Sequence, residues 1–376
     1  MKILFWVSLL IIFYTYIGYP LILWAGARIR IRPVQKRYGE PFVSIVIAVF
    51  NEEKYIKQKM ENSMDLEYPK ERFELIVVSD GSNDGTNDIL KGFQTSGVKV
   101  LSYPERRGKP TALNLGVAEA RGEIVFFTDA RQMLEKTALR ELVANFSDPL
   151  VGSASGELIL ITDDRSVSSE GMGLYWEVEK WMREKESQIH SMLGATGAIY
   201  AIRKSIFSPI PFETILDDML IPLRGVLKGY RATFDRSAKA YDLSTKDLGE
   251  ESKRKVRTLG GNFQLIKLEP RLISPFSNPV FFQFISHKVF RLIVPFAMGL
   301  CFLSNLYLST TFYILTLIAQ CLFYLGAILA PRAPENHFGK IMKGAKIILE
   351  MNLAALKGLY RFLTNSQMSV WEKAKI

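Results

Sequence analysis

Phe42-Val43-Ser44-Ile45-Val46-Ile47-Ala48-Val49 runs straight into Phe50-Asn51-Glu52-Glu53. An uncharged, β-branched run that stops at a polar turn is the pattern of a strand buried on both faces. Working outward, short β-rich runs recur. Phe73–Val78, Val98–Ser102, Ile124–Thr128 and Val151–Ala154 read as strands. Glu53–Met64, Thr86–Phe93, Lys109–Ala120 and Glu135–Phe146 read as the helices between them. Buried strands separated by helices predict an α/β fold with a mostly parallel, Rossmann-like sheet. Residues 155–250 are more mixed, with a helix over Gly171–Ser187 and an expected antiparallel edge.

In such sheets ligands bind beyond the carboxyl ends of the strands. Those positions are Asn51-Glu52-Glu53, Ser79-Asp80-Gly81-Ser82, Glu105-Arg106-Arg107-Gly108-Lys109 and Asp129-Ala130-Arg131, all polar or glycine-rich. Fold logic and side-chain chemistry coincide there.

The ends of the chain are different. Leu292 to Ala330 contains no Asp, Glu, Lys, Arg or His, about twice the ~20 apolar residues that cross a bilayer once. It reads as a two-helix hairpin. A second uncharged run, Ile3 to Ala27, is also long enough to span. It exceeds a signal-peptide core and ends without a small-x-small cleavage site, so it reads as a retained anchor. Arg28, Arg30, Arg32, Lys36 and Arg37 follow it; Arg332, Lys340, Lys343 and Lys346 follow the hairpin. Positive flanks stay on the cytoplasmic side and rest against anionic lipid headgroups. They therefore account for the net charge of +10 and the pI near 9.4 without nucleic acid as a partner. Both cysteines, Cys301 and Cys321, fall in the hairpin, so there is neither a disulfide framework nor a metal knuckle.

The expected organisation is a transmembrane helix over 1–27, a basic linker over 28–41, a catalytic domain over 42–261 and a membrane-interface segment over 262–290. A transmembrane hairpin over 291–330 and a basic tail over 331–376, with a third span or an interfacial helix at 347–363, complete it. The expected location is an integral protein of a bacterial-type inner (plasma) membrane, with residues 42–261 on the cytoplasmic side.

Within the middle, Asp80 can accept hydrogen bonds from a base or ribose, or belong to a plain Asp/Gly turn. Arg106, Arg107 and Lys109 beside a helix start can hold a diphosphate, or belong to a solvated loop. Asp129 at a strand end can hold Mg²⁺ or Mn²⁺, or cap the next helix. Asp217-Asp218 precedes apolar Met219-Leu220-Ile221. Two carboxylates in so hydrophobic a setting can make a general base and its neighbour, or a helix N-terminal pair. Arg254-Lys255-Val256-Arg257 can clamp phosphate or lie on headgroups.

In this order the strings Val43–Glu53, Ser79–Thr86, Arg107–Asn114, Phe127–Ala130, Gly197–Arg203, Asp217-Asp218 and Arg254–Arg257 resemble the family-2 glycosyltransferases, in their membrane-integrated polysaccharide-synthase-like branch. The resemblance implies a GT-A fold, a UDP-sugar donor and inversion at the anomeric carbon. It assigns Glu52 and Asp80 to the nucleoside, Lys109 to the donor and Asp129 to the metal or diphosphate. Gly197 and Ala198 would line the acceptor site, Asp218 would be the base beside Asp217, and Arg254 and Arg257 would contact the diphosphate.

Two residues depart from the family pattern. Arg131 stands where the second Asp of an Asp-x-Asp metal motif is usual, leaving Asp129 to hold a divalent ion with waters and phosphates alone. Arg131 can replace part of that charge on the donor. Thr258 stands where processive synthases carry Trp. The acceptor implied is a lipid-linked or growing glycan. Three or four spans form a polymer channel only through a homo-oligomer or a polysaccharide-export partner. The competing readings are a polyprenyl-phosphate sugar transferase and a catalytically silent nucleotide-binding subunit of an export complex.

Overall fold

The computed structural model describes residues 1–161, 167–243, 248–334 and 336–364. Among these, one sheet is built from β1 (Val43–Val49), β2 (Phe73–Asp80), β3 (Lys99–Tyr103), β4 (Ile124–Phe127), β5 (Met133–Leu134), β6 (Val151–Ile161), β7 (Tyr200–Arg203) and β8 (Arg231–Leu243). Their order is β3-β2-β1-β4-β7-β6-β8-β5. The first four strands are mutually parallel. β7 runs against both β4 and β6, β8 lies parallel to β6, and β5 closes the edge antiparallel to β8.

Every side chain of β1 is buried, which explains its unbroken apolar sequence. Ile45 and Ile47 point to one face, with Ile56, Met60, Leu90 and Leu139. Val46 and Ala48 point to the other, with Ala112, Leu113, Val117, Leu220 and Leu223. Each such aliphatic side chain contributes roughly 1.5–3 kcal/mol when fully buried. The helix Glu53–Met64 buries Ile56, Met60 and Ser63 at the helical period.

The expected helix over Glu135–Phe146 is shorter and later. Residue 134 belongs to β5, followed by the helix Ala138–Val143 and a 3₁₀ turn, Ala144–Ser147. The Asn62 side chain explains the break: its amide donates to the Leu134 carbonyl at 2.9 Å, and its oxygen accepts from the Leu134 N–H at 2.8 Å. That backbone is thus taken by a partner no helix could offer it.

Among the described residues, three helices are long and apolar enough to cross a membrane: Lys2–Ile29, Phe281–Asn305 and Thr311–Arg332. The second starts well before the expected hairpin and takes in His287, Lys288 and Arg291, because all three find carboxylate partners on the helix Val167–Ile189. The helix His337–Leu363, capped by the Asn336 side chain accepting from Gly339 N–H at 2.9 Å, is not among the three. It packs on Leu248–Leu268, where a Cβ on Gly358 would sit 2.7 Å from the Gly260 nitrogen. Expectations for residues 365–376 lie outside the described residues.

Candidate active site

A cleft of about 980 Å³ opens over the carboxyl ends of β1 and β4. Glu52, Lys109, Asp129, Arg131, Gly197, Ala198, Asp217, Asp218, Arg254 and Arg257 all line it. Asp80 does not; it is 1% exposed.

Asp80 instead builds the loop that precedes Lys109. Its Oδ1 accepts from the Tyr103 hydroxyl at 2.8 Å and the Arg107 N–H at 2.7 Å, and the Gly108 N–H reaches both oxygens at 2.9–3.0 Å. Gly108 has φ 90°, backbone that only glycine adopts without strain. This turn, with Pro110 in the first helical turn, aims Lys109 into the cleft. On the neighbouring strand end, Asn51 is held at φ 53°. Its side chain donates to Asn83 Oδ1 at 2.7 Å and accepts from the Asn83 N–H at 2.9 Å. A non-glycine residue in the left-handed region marks stored strain, and here it delivers Glu52 to the cleft. The buried Glu52 carboxylate faces Arg131 Nε at 3.3 Å.

The centre is an alternating charge cluster. Lys109 Nζ lies 2.8 Å from Asp129 Oδ1 and 3.3 Å from Asp217 Oδ2. Burial alone would lower the Lys109 ammonium, but Asp129, Asp217 and Asp218 outweigh it and hold it above its ordinary value. Burial would raise Asp129; Lys109, then Lys59 and Arg257, bring it below the usual carboxylate range. Asp218 behaves oppositely. Burial, then the neighbouring Asp217, pushes it up to about 6 even though Lys109 pulls the other way. Its Oδ2 accepts from the Gly197 N–H at 3.1 Å. A Cβ on Gly197 would lie 3.0 Å from Asp129 Oδ2 and 3.2 Å from Lys109 Nζ, so only glycine lets this backbone reach so close. Arg257 donates to the Ile215 carbonyl at 3.5 Å, and Arg254 lies 3.8 Å from Glu251.

Sequence reasoning missed two groups. Lys59 is fully buried beneath Asp129, its ammonium lowered by burial to about 7 against the pull of Asp129. It stands between Ile56 and Met60 on the buried face of its helix, and that position was the available signal. The second group, Glu179, Glu186, His287, Lys288 and Arg291, lines the far end of the cleft and had no motif to reveal it.

Among the described residues no three His, Cys, Asp or Glu side chains stand together to hold a metal ion. Asp129 is one hard carboxylate with an oxygen bordering Gly197. Such a ligand fits Mg²⁺ or Mn²⁺ if phosphate and water oxygens complete the shell.

A parallel half-sheet joined to a reversed half, with charged groups gathered over its strand ends, is the architecture of the GT-A glycosyltransferases. A mannosyltransferase from Pyrobaculum calidifontis, solved with GDP-Man and Mn²⁺, superposes with a TM-score of 0.73 at 20% identity, covering 97% of this chain and 100% of that one. Residues 44–210 match the model of glycosyl transferase family 2, so the chain carries a domain of that family. Its relatives include a probable glycosyltransferase, YdaM, of Bacillus subtilis, 29% identical over 59% of this chain and 55% of the relative. They also include a poly-β-1,6-N-acetyl-D-glucosamine synthase of Staphylococcus aureus, 23% identical over 60% of this chain and 55% of that one. The chain thus spans about half the length of these curated relatives.

Proposed function

We propose that the protein transfers a sugar from a nucleotide-diphosphate sugar, a UDP-sugar in the first instance, to a hydroxyl of a lipid-linked or growing glycan, with inversion. The observation that carries this reading is Asp218, a carboxylate raised to about 6 in the same cleft as Lys109 and Asp129. Above that pH it is ionised and can take the proton of an acceptor hydroxyl whose oxygen attacks the anomeric carbon. The bond to the donor diphosphate breaks on the opposite face. Lys109, Arg131, Arg254 and Arg257 neutralise the departing charge, with Lys109 and Arg131 held beforehand by Asp129 and Glu52, as electrostatic catalysis favours. A divalent ion at Asp129 would add positive charge against the diphosphate oxygens. The family resemblance assigns Glu52 to the nucleoside side and Gly197 and Ala198 to the acceptor side.

The relatives support a polysaccharide setting, one of them being named a poly-β-1,6-N-acetyl-D-glucosamine synthase. The GDP-Man bound by the structural neighbour makes GDP-sugars the second donor class to test. Basic residues beside the first span and after the hairpin support a cytoplasmic catalytic domain by the positive-inside rule. A phosphate acceptor would need no base, so the Asp217–Asp218 pair favours a hydroxyl.

The test is a radiolabelled screen of UDP- and GDP-sugars with detergent-purified protein and native membrane lipids, repeated with Asp218→Asn. Transfer by the wild type and its loss in the variant is the expected result. A variant within a few-fold of wild type overturns the base assignment. A wild type inert toward every donor leaves the silent-subunit reading instead. Chelation with EDTA followed by Mn²⁺ addition tests Asp129 as a metal ligand; full activity throughout would remove that role.

A further inference from the structure

Lys59 does not line the cleft, and nothing in the mechanism above uses it. It is nevertheless 0% exposed, and burying an ammonium is costly unless its protons are bonded. Its Nζ donates to Thr128 Oγ1 at 2.7 Å and to the Gln132 carbonyl at 2.6 Å. These two bonds bracket the loop that carries Asp129 and Arg131. The Thr128 hydroxyl, having accepted from Lys59, donates onward to the Ala198 carbonyl at 2.8 Å. One residue earlier, the Gly197 N–H donates to Asp218 Oδ2. A single chain of hydrogen bonds therefore runs from Lys59 through Thr128 to the Gly197–Ala198 loop, and from there to Asp218.

Other contacts anchor each loop separately: Asp129 pairs with Lys109 at 2.8 Å, the Gln132 amide donates to Asp242 at 2.7 Å, and the Thr196 N–H donates to Ser155 Oγ at 3.2 Å, but none of these three joins one loop to the other. Phe127 stacks on Tyr200 with ring centroids 4.6 Å apart, which fixes β4 against β7 just before the chain leaves the sheet. Beyond that point Asp129 and Gly197 belong to separate loops, and the Thr128 hydroxyl ties them together.

We propose that Lys59 and Thr128 form a buried pin that sets the donor loop, residues 129–132, against the acceptor loop Gly197–Ala198. Both are positioning residues: they touch neither sugar, and they fix Asp129 relative to Asp218. The proposal rests on the assignment of those two loops to donor and acceptor. Misplacement of reacting groups by an ångström or less can cost on the order of 10²-fold in rate, so such a pin matters even far from solvent.

The test compares Lys59→Met, Thr128→Val and Thr128→Ser with wild type in two measurements. In the first, sugar transfer and donor hydrolysis are followed with whichever sugar nucleotide the wild type uses. Loss of the pin lowers the transfer-to-hydrolysis ratio at least tenfold in Lys59→Met and Thr128→Val. Thr128→Ser, which keeps the hydroxyl, restores it to within about twofold. A role in stability alone would lower both rates together and leave the ratio unmoved.

In the second measurement, amide hydrogen exchange is followed without substrate. Lys59→Met speeds exchange in 128–132 and in 196–199 together. Unchanged exchange at 196–199 in a folded Lys59→Met overturns the pin whatever the activity shows, as does a ratio within twofold of wild type in both disruptive variants. Should Lys59→Met fail to fold, Thr128→Val alone carries both measurements. A wild type without activity counts against the proposed function only, and the exchange experiment still decides the pin.

Discussion

Two clusters of buried charge line the same cleft and are built to opposite ends. At the catalytic end, Asp129, Asp217 and Asp218 crowd around one ammonium, Lys109. At the membrane end, Glu179 meets Arg291 at 3.0 Å, His287 at 3.1 Å and Lys288 at 3.4 Å. Glu186 accepts from the Tyr19 hydroxyl and faces His287 Nδ1, both at 2.7 Å. These bonds join the Lys2–Ile29 and Phe281–Asn305 helices to the helix Val167–Ile189. Burial raises Glu179, yet Arg291, His287 and Lys288 bring it well below the usual carboxylate range. Asp218 ends up at about 6. A carboxylate surrounded by cations fastens helices together. One buried beside other carboxylates is kept reactive, and the fold bears the cost of holding it.

The most decisive way to break this contrast is to remove one carboxylate from each cluster. Asp218→Asn should lower transfer by about 10²–10⁴-fold, the usual worth of a general base, while leaving binding of UDP measurable by calorimetry. The same change should raise the unfolding temperature in detergent at pH 7.5. The sign follows from linkage: a carboxyl whose folded-state value is raised contributes stability below its ordinary value and loses it as pH rises through about 6. The gain should therefore vanish by about pH 4, where the unfolded carboxyl also protonates. A destabilised variant at pH 7.5 would mean that Asp218 is satisfied rather than crowded.

Glu179→Ala should act in the other direction. Stripping the shared partner from buried cations costs about 3–5 kcal/mol, read as a lowered unfolding midpoint. The surviving folded fraction should keep its affinity for UDP. Equal stability to wild type would reduce the membrane-end cluster to surface-like pairing.

A third, smaller effect belongs to pH alone. With Asp218 at about 6, kcat/KM should fall about tenfold per pH unit below that value and level off above it. A profile that is flat between pH 5 and 7 would separate the proton-accepting step from this residue.

The catalytic end was far more legible in the sequence than the membrane end, for physical reasons. β-rich strands that stop at polar turns betray a sheet and its ligand edge together, which is why Glu52, Lys109 and Asp129 fall into one cleft. Asp80 was less legible, since a strand-end aspartate looks the same whether it faces a ligand or, as in this structure, accepts from the N–H groups of its own neighbouring loop. β5 went unseen because two residues carry no period and their pairing depends on the distant Asn62. The membrane-end cluster was hidden by its own neutralisation. His287, Lys288 and Arg291 look like the charged boundary of a span until Glu179 and Glu186, about a hundred residues away in sequence, are seen to meet them.

The finest comparison uses two glycines, one beside each cluster. A Cβ on Gly26 would meet Ile189 Cδ1 at 3.2 Å, a methyl at the end of a flexible chain that can swing aside. A Cβ on Gly197 would meet Asp129 Oδ2 at 3.0 Å and Lys109 Nζ at 3.2 Å. Those atoms can move too, but only by shifting the Lys109–Asp129 ion pair, which the proposed function sets against the donor. Gly26→Ala should therefore leave both activity and unfolding temperature near wild type. Gly197→Ala should raise KM for the donor and lower kcat, by about tenfold combined, since a displacement of a few tenths of an ångström at reacting groups is enough. The two measurements share one logic: the same added methyl is harmless where packing is aliphatic and costly where it touches a charge held in place for chemistry. Were Gly197→Ala to match Gly26→Ala in kcat/KM, the close approach of the 197 backbone to Lys109 and Asp129 would have no part in placing the donor.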